Sequence, residues 1–138
     1  TASEAKDLGL EVLAVTVLTS VSESDLGDLG YKASVSLKQL VLDRASLAEE
    51  SGCAGVVCSG EEVALIKKSC GKNFKAVVPG IRPVWADVKK DDQSRIVTPK
   101  VAISDGADLI VVGRPIRDAE EPSLAAQKIV DEIKSATV

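Results

Sequence analysis

Histidine and methionine are absent from this sequence, and phenylalanine, tyrosine and tryptophan occur once each. Without histidine there is no imidazole to act as a general base, to activate a nucleophile or to ligate a metal. Cysteine occurs only as Cys53, Cys58 and Cys70, an odd number with no Cys-x-x-Cys pair, so neither a zinc nor a haem site is expected. Three reduced thiols fit a cytoplasmic protein. No basic run interleaved with aromatics is present and the net charge is −4, which argues against nucleic acid as a partner. No apolar run approaches the roughly 18 residues of a membrane span, and no signal peptide opens the chain. The first residue is Thr1 rather than methionine, which points to a processed, trimmed or partial chain.

What is present is aliphatic. The hydrophobic residues make up 45% of 138 residues, with a core that must be built from Val, Leu, Ile and Ala, and the length suits a single domain over residues 1–138. Four short apolar runs read as strands buried on both faces: "EVLAVTVLTS" (residues 11–20), "GVVCS" (55–59), "KAVVPG" (75–80) and "DLIVVGRP" (108–115). Helical patterns lie between them. Leu37, Leu40, Val41, Arg44 and Leu47 or Ala48 form one stripe, stopped at Gly52. Ser59 and Glu62 have capping-box spacing ahead of Val63, Ile66 and Lys67. Thr98-Pro99 reads as the start of a short helix ending near Gly106. Pro122 opens a last helix with Ala125, Ala126, Ile129, Val130 and Ile133 inward. Residues 1–10 read as the tail of a preceding helix. No linker, low-complexity tract or sequence repeat divides the chain.

Strand followed by helix, four times, argues an α/β fold with a parallel sheet and right-handed crossovers. Such a chain completes either as an open doubly wound sheet or as half of an eight-stranded barrel. In both, ligands bind at the carboxyl ends of the strands. Those ends carry Thr19-Ser20, Cys58-Ser59, Pro79-Gly80-Ile81-Arg82 and Gly113-Arg114. Glycine lets a backbone N–H approach an anion, and arginine offers a two-pronged fork to phosphate. Two Gly/Arg strand ends side by side read as a phosphate cup. Thr19 and Ser20 suit either a polar ligand edge or a satisfied strand-end hydroxyl. Cys58, beside Val56 and Val57, reads as a packed thiol. Trp85 either anchors its long loop or covers a ligand.

The pieces "LAVTVLTS", "SGCAGVVCSGEE", "VVPGIRP", "DDQSRIVTP" and "GADLIVVGRPI", in this order, resemble the carboxyl-terminal half of the bacterial orotidine 5′-phosphate decarboxylase family. The resemblance runs from about Leu10 to the end of the chain. It implies four βα units of a (βα)8 barrel that acts as a homodimer. The implied reaction removes CO2 from orotidine 5′-monophosphate (OMP) to give UMP, with no metal or organic cofactor. It further implies that Thr19 lines the substrate site, that Pro79 lies beside the pyrimidine with Arg82 following, that Gln93 bridges base and phosphate, and that Gly113 and Arg114 grip the phosphate. The sequence departs from the family pattern in two ways. The segment from Arg82 to Gln93 is longer, and the amino-terminal half, with the catalytic Asp-x-Lys-x-x-Asp, is missing.

That catalytic spacing nevertheless occurs in "ADVKKDDQ" (residues 86–93), as Asp87, Lys89 and Asp92. The family's array ends an apolar strand, a rigid footing for groups that must be held within a fraction of an ångström. Here it follows "PVWA" in a long loop, so it is expected to be a solvated loop whose functional residue is Gln93. The catalytic residues are then outside these 138 residues, and the chain alone is expected to be inactive. Two other functions remain compatible with the residues: a phosphate-ligand binding domain without chemistry, and a related sugar-phosphate decarboxylase. The expected partners are a small nucleotide (OMP or UMP) and either a second copy of the chain or the missing amino-terminal half; nucleic acid and membrane are not expected.

Overall fold

The computed structural model describes residues 2–86 and 92–136. Four parallel strands, β1 (Leu13–Val15), β2 (Gly55–Val57), β3 (Lys75–Val78) and β4 (Leu109–Ile110), form one sheet in the order β1-β2-β3-β4. The register aligns Ala14 with Val56 and Ala76, and Val78 with Ile110. The strands are shorter than the apolar runs that encode them. Each run continues past its ladder into the loop that carries site residues.

The helices are α1 (Ala2–Asp7), α2 (Leu37–Glu50), α3 (Val63–Cys70), α4 (Pro99–Ser104), α5 (Arg114–Arg117) and α6 (Pro122–Lys134). Ser36 caps α2 by accepting the Gln39 N–H at 3.1 Å. Val41, Ala45 and Ala48 are its buried stripe; Leu47 faces out, and Arg44 is exposed, reaching across to the Thr16 carbonyl and the Tyr31 hydroxyl. Thr98 caps α4 through the Val101 N–H, with Pro99 in the first turn. On α6 only Ala125 and Ile129 are buried, and Val130, expected inward, is exposed. The four-residue α5 was not legible as a helix in the sequence.

The expected capping box at Ser59 takes another form. Ser59 accepts from Glu61 N–H and opens a short 3-10 turn (Gly60–Glu62) that leads into α3. The Glu62 carboxylate turns inward to Arg95 instead. A buried guanidinium with which to pair outweighs the modest gain from completing a cap.

A sequential strand order decides between the two completions. In a doubly wound sheet the order reverses, placing helices on both faces. Here every crossover steps the same way, so the helices pack on one face. Ala14, Val56, Ala76, Val78 and Ile110 pack with Val41, Ala45, Val63 and Ile66 in one apolar core. Along the two outer strands the alternate residues face the other way and stay open, Leu13 at 36% exposed, Val15 56%, Leu109 57% and Val111 53%, whereas Val77 of β3 is buried. A sheet covered on one side only, with an apolar second side, is part of a barrel wall.

Two further contacts tie the sheet together. Asp108, just before β4, accepts from Lys67 of α3 and from the Ala76 N–H of β3. Burial works against its charge, but these two donors and the lysine's positive charge outweigh that and hold its carboxyl below the usual range. Cys58 is sealed in the core, and burial, with the Glu62 charge nearby, pushes its thiol up to about 12. Cys70 is also buried and raised, first by burial, whereas Cys53 is only half-buried. At pH 8 an aromatic disulfide reagent is therefore expected to titrate one thiol, Cys53, within minutes, and the other two only after denaturation. Rapid reaction of all three would contradict the packing.

Candidate active site

The carboxyl ends of the four strands lie side by side because the strands are parallel and in register. Thr19 follows β1 and is buried, with its hydroxyl donating to the Gln93 side-chain oxygen. Gly80 follows β3 with φ +73°, a left-handed conformation that favours glycine. A Cβ there would lie 3.0 Å from the Arg95 carbonyl, 3.4 Å from Gln93 Oε1 and 3.8 Å from Thr19 Cβ. Thr19, Gly80 and Gln93 thus meet at one place, although 74 residues separate the threonine from the glutamine.

The second group is a charged pair. Arg114, the first residue of α5, forms an ion pair with Asp92. The Arg114 hydrogen bond, first, and a lesser one from Gln93 hold the Asp92 carboxyl below its usual range. Arg114 thus meets a carboxylate one residue before Gln93. At Gly113 a Cβ would meet nothing within 4 Å, so packing does not demand glycine there. Arg82 donates to the carbonyl of its neighbour Ile81 at 2.8 Å, and its N–H bonds the Val97 carbonyl, where Ile81 and Val97 form an isolated parallel bridge. Pro79 is half-buried at the end of β3. Trp85 rests against α6, with Lys128 Nζ 5.3 Å from its ring centroid, and with Arg114, Pro115 and Leu124 it lines an open cavity of about 450 Å³.

Of the Asp-x-Lys-x-x-Asp spacing in "ADVKKDDQ", Asp87 and Lys89 lie outside the described residues, and Asp92 is paired with Arg114. Among the described residues there is no cluster of three or more Cys, Asp or Glu side chains able to hold a metal ion. Two residues next to the site received no part in it from the sequence, Arg95 and Glu62 (read only as a helix cap), each 5% exposed and paired with one another. The available signal was that Arg95 follows Gln93 so closely.

The sequence model of the orotidine 5′-phosphate decarboxylase / HUMPS family matches residues 1–129. The chain belongs to that family. A relative named orotidine 5′-phosphate decarboxylase, from Desulfosudis oleivorans, is 50% identical over 137 residues, covering 98% of this chain and 55% of that protein. Another of that name, from Geobacter sp. strain M21, is 50% identical over 123 residues, covering 89% of this chain and 50% of that protein. Among solved structures, orotidine 5′-phosphate decarboxylase from Lactobacillus acidophilus matches with a TM-score of 0.72 at 37% identity, over 90% of this chain and 49% of that one. The enzyme of the same name from Pyrococcus horikoshii gives 0.62 at 26% identity, over 96% and 55%. The chain thus spans about half the length of the curated relatives it matches. Its four βα units are the carboxyl-terminal half of the family's barrel.

Proposed function

We propose that this chain supplies the phosphate- and pyrimidine-binding half of an OMP decarboxylase, the lyase that forms UMP and CO2 in pyrimidine biosynthesis. The observation that carries the reading is the Arg114–Asp92 ion pair beside Gln93, whose side chain Thr19 holds above Gly80. A guanidinium already holding a carboxylate is what a phosphate monoester needs, and the phosphate of the nucleotide takes the place of Asp92 on Arg114. Gly113, whose Cβ position is open, leaves room for that phosphate to approach the backbone. Thr19 orients the Gln93 amide by donating to its oxygen, so the amide nitrogen faces the ligand. Pro79 and Arg82 complete the base side. No cofactor has a role in this reading, and the residues that deliver the proton lie in the other half of the barrel. The protein acts in the cytoplasm.

The test is a titration with UMP, uridine and ribose 5-phosphate. UMP is expected to bind tightest. Uridine binding as well as UMP would remove the phosphate role, and ribose 5-phosphate binding as well as UMP would favour a sugar-phosphate ligand. A charge-assisted fork contributes about 1.5–3 kcal/mol, so Arg114→Ala should weaken UMP by about tenfold or more.

The open sheet face carrying Leu13, Val15, Leu109 and Val111 is covered by the other four strands of the barrel or, where they are lacking, by a second copy. These 138 residues alone should therefore sediment as a dimer or larger species at micromolar concentration. A stable monomer would contradict the half-barrel association.

A further inference from the structure

Arg95 is almost completely enclosed, yet it lies only two residues beyond Gln93 at the end of a long connection from β3. Its guanidinium uses four of its N–H groups. Nε donates to the Val21 carbonyl at 3.1 Å, Nη2 to Val17 and Leu18 at 3.1 and 3.0 Å, and Nη1 to Glu62. These carbonyls all belong to the turn leaving β1, the turn that carries Thr19. The backbone repeats the attachment: the N–H groups of Ser94 and Arg95 both donate to the Thr19 carbonyl, at 3.1 and 3.2 Å. The Ser94 hydroxyl donates to Ser20 at 3.1 Å. Glu62, at the start of α3, holds the guanidinium from the far side, and its second oxygen, Oε2, is buried with no hydrogen-bond partner. A buried carboxylate with one oxygen unpaired costs desolvation, which a packing role alone does not require.

We propose that Arg95, clamped by Glu62, is the positioning residue for the base side of the site: it fastens the Gln93 segment to the β1 turn so that Gln93 meets Thr19 above Gly80. The inference rests on the nucleotide-binding reading above. Lysine cannot substitute, because one ammonium cannot reach Glu62 and three carbonyls in a fixed plane. Loss of the clamp leaves Arg114 and Gly113 in place, so the phosphate grip survives while the reach of Gln93 is lost.

The experiment measures UMP and ribose 5-phosphate affinity on the intact protein carrying this chain, for the unsubstituted form, Arg95→Lys, Gln93→Ala and the double variant. Arg95→Lys should weaken UMP by about tenfold and ribose 5-phosphate by less than about twofold, and in the Gln93→Ala background it should cost UMP less than about twofold. An equal loss for both ligands in both backgrounds would mean a merely structural role and overturn the proposal. A ligand-free arm follows amide hydrogen exchange. Exchange at Ser94 and Arg95 should quicken about tenfold in Arg95→Lys relative to the amides of α2. Unchanged protection there overturns the clamp whatever binds. Failure of the unsubstituted protein to bind UMP, with exchange behaving as expected, removes the nucleotide reading and leaves the clamp. Should Arg95→Lys not fold, Glu62→Gln keeps the shape and loses the charge; the same pattern at about threefold is expected, and no change overturns the proposal.

Discussion

Gly55→Ala will leave little or no folded protein. Gly55 opens β2 and pairs in register with Lys75 of β3 on one side and Leu13 of β1 on the other. A Cβ at Gly55 would lie 2.2 Å from the Lys75 carbonyl oxygen and 2.5 Å from Lys75 Cβ. Neither atom is the free end of a side chain. The carbonyl belongs to the ladder, and the Lys75 side chain is led across Gly55 to its ion pair with Glu11, just ahead of β1. Relief would require β2 and β3 to separate in the middle of the sheet. Overpacking of this kind at a backbone contact costs about 4 kcal/mol or more. Folded domains are stable by only about 5–15 kcal/mol, and half a barrel has less core than most. The check is soluble yield and the thermal transition by circular dichroism, beside Gly113→Ala, whose Cβ meets nothing within 4 Å and whose transition should stay within a few degrees of the parent. A Gly55→Ala protein melting like its parent would show that the strands have slack there.

These 138 residues alone will not turn over OMP. Loss of CO2 from the pyrimidine leaves carbanion character at the ring carbon, and a positioned group must stabilise that charge and return a proton. The described candidate site offers Thr19, Gln93, Arg114 and backbone groups, none of which has a proton to give at neutral pH. Lys67 is committed to Asp108 and to the carbonyls of Lys72 and Phe74, and Lys75 to Glu11. In "ADVKKDDQ" the last aspartate of the spacing, Asp92, is already paired with Arg114. Three samples test this: the chain, its Lys89→Ala variant, and the chain mixed with a separately made amino-terminal half of a relative. No turnover is expected from the first two, and recovery in the third. Turnover by the chain alone that disappears in Lys89→Ala would make the loop the catalytic array.

Much of the site was legible one strand end at a time. Apolar runs ending in Thr19, Pro79-Gly80 and Gly113-Arg114 announced parallel strands whose polar business lay at one end, because a doubly buried strand tolerates polar groups only where it leaves the sheet. The expected Ser59 capping box failed because the same carboxylate had a stronger suitor. A capping spacing is local, whereas Arg95 lies 33 residues away from Glu62 and becomes its neighbour only through the fold.

The sequence by itself determined the element order, the aliphatic core and the residue types at each strand end, since these follow from local periodicity and from the chemistry of single side chains. It also carried the family, because a series of motifs in fixed order is one-dimensional information. The sheet order was decided only in three dimensions. Whether successive crossovers keep one direction or reverse is a matter of how the helices pack, and packing here left Leu13, Val15, Leu109 and Val111 open on the second face. The Arg114–Asp92 and Arg95–Glu62 ion pairs were likewise tertiary. Each joins groups from separate connections, and an ion pair or hydrogen bond exists only where the fold has already brought its partners within about 3 Å of one another.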